Sequence, residues 1–317
     1  MVRAWILSRV LSDNDVDSID LNSLNKTTDD NYYEAIKILA GFKKIGVDAK
    51  IVKIDKIDES IKMYKDLPDI IVMRCMLHNM RELNIIRELC NQNITIMNPP
   101  MSQMMCFDKW HHYKILEKNG IPIPKTTAAK VYSLDHEILS AMKNKKLTFP
   151  VVVKSNCGSR GDTVFKCHNM SEILESVERI NILYPSSKTL ILQEWIDHRI
   201  KGVISILAIG GKLITAQIKT ANKDVDFLLS NFREDTNRST YEITDGLRKL
   251  VESSCRVMGE IEMTRMDILH DGQKYLICEI NSPGGFIGFD KYTNLDCGLM
   301  IAEYALAKHK NKTSWCN

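Results

Sequence analysis

Two short runs near the C-terminus hold the residues best suited to chemistry. They are Arg265-Met266-Asp267 and, beyond a loop at His270 to Lys274, Glu279-Ile280-Asn281-Ser282-Pro283-Gly284-Gly285-Phe286. Both read as strands, in which alternate residues share a face. Arg265 and Asp267 then project together with Met266 and Ile268 opposite, and Glu279 and Asn281 together with Cys278 and Ile280 opposite. Oxygen donors at this spacing suit a hard cation such as Mg²⁺, which is usually shared with substrate phosphates. For both pairs to project to the same side, the intervening loop must hold an odd number of residues. The spacing therefore predicts a three- or five-residue turn with a bulge, not a two-residue Asp271-Gly272 turn. Taken alone, the same residues also describe a solvated surface hairpin, and the segments upstream decide between the two readings.

Lys154 ends the apolar run Pro150-Val151-Val152-Val153 and is followed at once by Ser155-Asn156-Cys157-Gly158-Ser159-Arg160-Gly161. A lysine leaving a buried strand can place its ammonium on a phosphate, and glycines let backbone N–H groups close over phosphate oxygens. The spacing is not that of a Walker loop. Asp108-Lys109 opens a helix ahead of the Pro122 and Pro124 segment. Gln193-Glu194-Trp195-Ile196 ends a strand whose backbone could meet an adenine edge. Adjacent His111 and His112 face different directions on a helix and read as structural. Cys157, with no histidine near it in sequence, reads as structural too.

Strand and helix signals must position these residues. Trp5 to Val10 reads as a buried strand, Ser12 to Asn31 as a loop, and Tyr33 to Ile45 as a helix closed by Gly46. Ala49 to Ile54 and Ile70 to Met73 read as strands, Leu83 to Cys90 as a helix and Ile94 to Met97 as a strand. This alternation predicts a parallel α/β unit ending near Asn98-Pro99-Pro100. A helix is predicted from Ser102 to Asn119, followed by an extended exit set by its two prolines. Strands are predicted at Phe149 to Lys154, Thr163 to Cys167 and Thr189 to Gln193, with a helix at Ser171 to Ile182. Val203 to Ile209 and Lys212 to Ile218 read as a hairpin across Gly210-Gly211.

Composition bounds the function classes. The chain has 317 residues, 44% hydrophobic and 26% charged, with a net charge of +3, so nucleic acid is not the default partner. Nine cysteines with no Cys-x-x-Cys pair fit reduced thiols and a cytoplasmic setting. No apolar run approaches the length of a membrane span, so no membrane association is expected.

The order of these motifs resembles the ATP-grasp superfamily, and within it the RimK-like branch of glutamate and peptide-type ligases, from about residue 97 to 305. The resemblance implies an α/β ATP-grasp fold, α+β in its C-terminal part. A pre-ATP-grasp parallel-sheet domain would span 1–98, a central lid 99–194 and a C-terminal subdomain with the metal site 195–317. It implies an ATP-dependent carboxylate-amine ligase that works through an acylphosphate and uses ATP and Mg²⁺, with Mn²⁺ as an alternative. Its partners would be small-molecule or peptide carboxylates and amines, and a homo-oligomer is compatible with it. By that resemblance Lys109 and Lys154 match the phosphate lysines, and Gly158, Ser159, Arg160 and Gly161 the mobile phosphate loop. Gln193, Glu194 and Ile196 match the adenine hinge, with Trp195 where the family usually has Phe or Tyr. Asp267, Glu279 and Asn281 match the metal ligands, and Ser282 to Phe286, including Gly284, the turn that closes the metal and acceptor site. In this chain that turn runs Pro283-Gly284-Gly285, one place earlier than the usual pattern. Lys219, Asn231 and Arg233 lie in the acceptor-facing region.

One departure bears on mechanism. RimK-like enzymes usually carry Asp-x-Arg where this chain has Val203 and Ser205. Arg265, on the face of Asp267, is expected to replace the lost cation as catalytic partner of Lys154, stabilising transferred phosphate with its planar fork. The plainer alternative is a salt bridge from Arg265 to a neighbouring carboxylate. Two rival functions are a regulator that binds ATP but has lost catalysis, and a phosphotransferase of the same fold.

Overall fold

The apolar run at the N-terminus forms β1 (Arg3–Ser8). With β2 (Asp48–Lys53), β3 (Ile70–Met73) and β4 (Thr95–Met97) it builds a wholly parallel sheet in the order β2-β1-β3-β4. Parallel neighbours need crossovers, which α1 (Asp30–Lys44), α2 (Ile57–Met63) and α3 (Met80–Asn91) supply. In this computed structural model the described residues are 1–10, 30–63, 67–77, 79–158, 161–198, 202–221, 236–259 and 261–314. Most of the loop expected from Ser12 to Asn31 lies outside them, as do Ser159, Arg160, Asn231 and Arg233.

The single helix predicted over Ser102 to Asn119 is two, α4 (Pro100–Phe107) and α5 (Lys109–Lys118). The break is Asp108, whose backbone is extended (φ −82°, ψ 96°) and whose side chain accepts from the His111 N–H at 2.7 Å. A carboxylate that accepts from the N3 amide is a favourable start for a new helix, so Asp108-Lys109 opens α5, as read from the sequence, and only the continuous span is lost. Cys106, Leu116 and Ile121 share a core with Ile204, Met266 and Ile280. Lys109 is thereby fixed to the block that carries Asp267.

The next sheet is antiparallel in the order β5-β8-β6-β7, from β5 (Thr126–Lys130), β6 (Val151–Ser155), β7 (Val164–Cys167) and β8 (Thr189–Glu194). Its apolar face packs Val151, Val153, Leu190 and Leu192 against Ile138 of α6 (Asp135–Asn144) and Ile173 of α7 (Met170–Leu183).

The third sheet, order β11-β10-β9-β12-β13, is antiparallel throughout. It comprises β9 (Val203–Ile209), β10 (Lys212–Ala221), β11 (Thr236–Thr240), β12 (Met263–His270) and β13 (Tyr275–Asn281). One face packs Ile206 and Met266 against Leu247 and Val251 of α8 (Asp245–Val257). The chain then runs through α9 (Ile287–Thr293) into α10 (Cys297–Ser314), which packs on α1 of the first sheet. Leu207, Ile209 and Met263 join Phe42 and Ile301 in one buried cluster, so the first and third sheets share a core.

The α1–α10 crossing rests on two glycines. A Cβ on Gly298 would stand 2.4 Å from the Lys37 carbonyl oxygen, and one on Gly41 2.6 Å from the Gly298 carbonyl oxygen. Backbone cannot yield as a side-chain tip does, so Gly298→Ala is expected to lower stability by about 2 kcal/mol. A urea midpoint unchanged from wild type would contradict that packing.

The β12–β13 hairpin corrects the expected turn. Asp267 pairs with Glu279 and Arg265 with Asn281, as the face argument requires, but His270 pairs with Tyr275, leaving the four residues 271–274 as the turn. The odd residue is Cys278, bulged where the register shifts between Asp267 and Ile268. A bulge sets two residues against one, so Cys278 joins Glu279 on the cleft wall instead of lying opposite it.

Among the described residues no helix is long and apolar enough to cross a membrane.

Candidate active site

The third sheet presents Asp267 inside a ring of donors. Its carboxylate is 5% exposed. Ser205, its cross-strand partner on β9, donates to Oδ1, Arg265 Nη2 lies 3.3 Å from Oδ2, and Lys219 Nζ on β10 lies 3.6 Å from Oδ1. Burial would raise the Asp267 pKa, but Lys219, Arg265 and the Ser205 hydroxyl outweigh it and bring it down to about 2. Burial pulls the Lys219 ammonium down to about 8 against the attraction of Asp267, with Arg265 and Arg238 adding repulsion. Glu279 faces Lys109, Nζ to Oε1 3.1 Å. Burial would raise its carboxyl pKa, but the charges of Lys109, Lys154 and Arg265 together hold it below the usual value.

The second sheet forms the opposite wall. Lys154, at the end of β6, reaches the Tyr113 hydroxyl at 2.6 Å and Gln193 Oε1 at 3.0 Å, and lies 5.0 Å from the Tyr113 ring centroid. Gln193 Nε2 in turn donates to Thr126 Oγ1 at 2.8 Å. Lys109 Nζ donates to the Gly158 carbonyl at 2.7 Å, tying the phosphate loop to α5. At the strand end Glu194 N donates to the Lys125 carbonyl at 2.8 Å. Lys166 Nζ lies 4.3 Å from the Trp195 ring centroid, and His198 packs on the same ring at 5.1 Å.

Between these walls lies a cleft of about 900 Å³, open mouth included. It is lined by Lys109, Lys154, Gly158, Gly161, Gln193, Glu194, Trp195, Ile196, Asp267 and Glu279, ten residues singled out from sequence, and by Ser155, Thr163, His198 and Cys278, which were not. Arg265 and Asn281 pair beside Asp267 and Glu279 on the same strands but do not line the cleft. The plain pairing foreseen for Arg265, with a neighbouring carboxylate, is the one present. Lys219 lies nearly buried against Asp267, not in an open acceptor loop.

Ser282 accepts from Asn98 Nδ2 at 2.6 Å. Gly284 packs so tightly on β12 that a Cβ there would fall 2.1 Å from Arg265 N.

Tyr113 is the functional neighbour that sequence reasoning missed. It lies four residues after Lys109 on one helix, hence on the same face, and that spacing could have found it. His112 is buried and held neutral, its pKa pulled to about 3 by burial and the nearby Lys109 charge. Burial also raises the Cys157 thiol, which suits a structural residue and not a nucleophile.

The donor set can be tested against a hard divalent cation. Asp267 and Glu279 pair across β12 and β13, with Lys109 beside Glu279 and Asn281 two residues further along β13, and two carboxylates are what such an ion takes when it keeps phosphate ligands. Asn281 Nδ2 is buried without a hydrogen-bond partner among the described residues, so no described contact of its amide nitrogen fixes the carboxamide away from the ion. The residues fit.

Comparison with known proteins agrees with this geometry. N-acetylaspartylglutamate synthase A of Mus musculus is 28% identical over 262 residues, covering 80% of this chain and 65% of that protein. The chain thus spans about 65% of the length of that relative. Beta-citrylglutamate synthase B of Homo sapiens is 22% identical over 274 residues, covering 83% and 68%. A probable alpha-L-glutamate ligase of Legionella pneumophila (strain Corby) is 24% identical over 226 residues, covering 71% and 72%. Among solved structures, the D-alanine–D-alanine ligase of Bacillus anthracis complexed with ATP superposes with a TM-score of 0.70 at 17% identity, covering 98% of this chain and 100% of that one. A RimK domain ATP-grasp protein of Sphaerobacter thermophilus superposes at 0.67 and 16%, covering 96% and 100%. At those identities the structures show the ATP-grasp fold. The model of the RimK-like ATP-grasp domain matches residues 106–305, which span every cleft residue named above, and the chain belongs to that family.

Proposed function

We propose that the protein is an ATP-dependent carboxylate-amine ligase: a carboxylate oxygen attacks the γ-phosphorus of ATP with loss of ADP, and an amine then attacks the acylphosphate carbon with loss of phosphate. The observation that carries this reading is the cleft itself, which brings Lys109 and Lys154 together with Asp267 and Glu279. Trp195, Ile196 and Gln193 support an adenine hinge. Lys109 and Lys154 would supply fixed positive charge to the phosphates. The Gly158 to Gly161 loop would exclude water from the labile acylphosphate. Asp267, Glu279 and Asn281 would hold Mg²⁺, which when bound neutralises phosphate charge.

The cation missing at Ser205 has two structural substitutes, Arg265 and Lys219, both against Asp267. That supports a ligase over a silent ATP-binding regulator. The three relatives' names each contain a glutamyl product or glutamate, which supports L-glutamate as the amine. The described cysteines are all free, which supports a reducing, cytoplasmic setting.

The test is ADP release with carboxylates such as N-acetylaspartate and citrate, each with and without L-glutamate, followed by mass spectrometry of the product. Release that needs both components is expected. Release with the carboxylate alone, leaving a stable phosphorylated product, would favour the phosphotransferase.

A further inference from the structure

A buried charge pair from the first sheet touches the third at one place. Glu34, on α1, and Arg74, just past the carboxyl end of β3, are 0% and 2% exposed and form a salt bridge. Glu34 Oε1 accepts from the backbone N–H groups of Phe286 and of Ile287, the latter at 3.1 Å. Arg74 Nη1 donates to the Gly284 carbonyl at 3.1 Å, and its guanidinium carbon lies 5.7 Å from the Phe286 ring centroid. Among the described residues, Arg74 Nε is buried with no hydrogen-bond partner. Burying two charges is costly, and apolar residues of similar volume often serve stability as well or better. A pair that also leaves an N–H unsatisfied calls for a reason other than stability.

That reason is what the turn carries. The segment grasped, 284–287, begins three residues after Asn281. A Cβ on Gly285 would stand 3.2 Å from Glu34 Oε1 and 3.8 Å from Arg265 Nη1. Gly284 meanwhile seats the turn directly on the backbone of Arg265.

We propose that Glu34 and Arg74 are positioning residues. They hold the Ser282 to Ile287 turn against the Arg265 backbone, next to the strand positions where Arg265 and Asn281 pair beside Asp267 and Glu279, so that the first sheet acts on the site through backbone atoms. The proposal rests on the reading of Asp267, Glu279 and Asn281 as metal ligands. It differs from a merely structural role in leaving the adenine and phosphate-lysine contacts alone.

The test compares wild type with Glu34→Leu/Arg74→Met, which replaces the pair by apolar groups of similar size, and with Glu34→Gln, which keeps an acceptor for the two amides. ADP binding is measured by calorimetry in EDTA and in Mg²⁺, with amide hydrogen exchange at Phe286 and Ile287. The double variant is expected to remain folded and to bind ADP in EDTA like wild type. Its gain in affinity from Mg²⁺ is expected to shrink by about tenfold or more, the usual cost of losing a group that orients metal ligands, with faster exchange at both amides. Glu34→Gln is expected to retain more of the Mg²⁺ gain. A folded double variant with the full gain would overturn the proposal, as would unchanged exchange at the two amides. A wild-type protein without any Mg²⁺ gain would overturn the metal reading instead, and the exchange result would then decide the positioning role alone.

Discussion

With Asp267 as the proposed metal ligand, Asp267→Asn is expected to reduce ADP release by at least about a hundredfold, since loss of a ligand exceeds the cost of losing an outer partner. The change is nearly isosteric, so the cause is charge. In the native protein one carboxylate balances Lys219 and Arg265 while accepting from Ser205. Without its charge, the nearly buried Lys219 ammonium is left against the like charges of Arg265 and Arg238, and such uncompensated burial costs roughly 3 kcal/mol or more. Stability should therefore fall together with activity.

The wild-type pH profile gives an independent check. The Asp267 pKa is about 2 in the fold against an ordinary 3.8. A depressed carboxyl pKa stabilises the fold above the unfolded value, by roughly 2 kcal/mol here. That contribution is lost as pH falls from about 4 toward about 2. The Asp267→Asn protein should lack this acid limb. If urea midpoints of both proteins fall in parallel between those pH values, Asp267 is not the balancing charge.

Arg265→Ala should lower kcat by about a hundredfold to a thousandfold, the range for removing one preorganised donor from developing charge. ATP binding, measured by calorimetry, should stay close to wild type because Arg265 lies outside the cleft lining. Arg265→Lys should restore little, because an ammonium cannot reproduce a planar fork. Lys219→Met is the necessary comparison, since Lys219 sits as near to Asp267 as Arg265 does. If Arg265→Ala turns over normally and Lys219→Met does not, the substitute cation is Lys219.

Much of this protein could be read along the chain because its elements announce themselves locally. Apolar runs marked β1, β3, β4 and β6, the last three with a proline at one end, and the alternation of helix with strand marked the parallel sheet. Asp267 and Glu279 were legible because period-two spacing puts oxygen donors on one strand face. Asp108-Lys109 was legible as a helix start, but the apolar periodicity running across Asp108 made one helix of what the Asp108 cap divides into two. The turn at 271–274 was misjudged for a similar reason: parity requires an extra residue, but a strand bulge and an odd turn satisfy it equally.

The residues alone marked the strand ends, the glycine loop and the paired carboxylates, which are properties of neighbouring positions, and the order of those motifs carried the resemblance to the ATP-grasp fold. Tertiary structure alone decided which charges meet. Lys219 and Asp267 are far apart in sequence and 3.6 Å apart in space because β10, β9 and β12 pair in that order. Glu34 and Arg74 meet the 284–287 turn only because α10 brings the third sheet back onto the first. Ion pairing depends on distance and burial, and neither is written in the local order of residues.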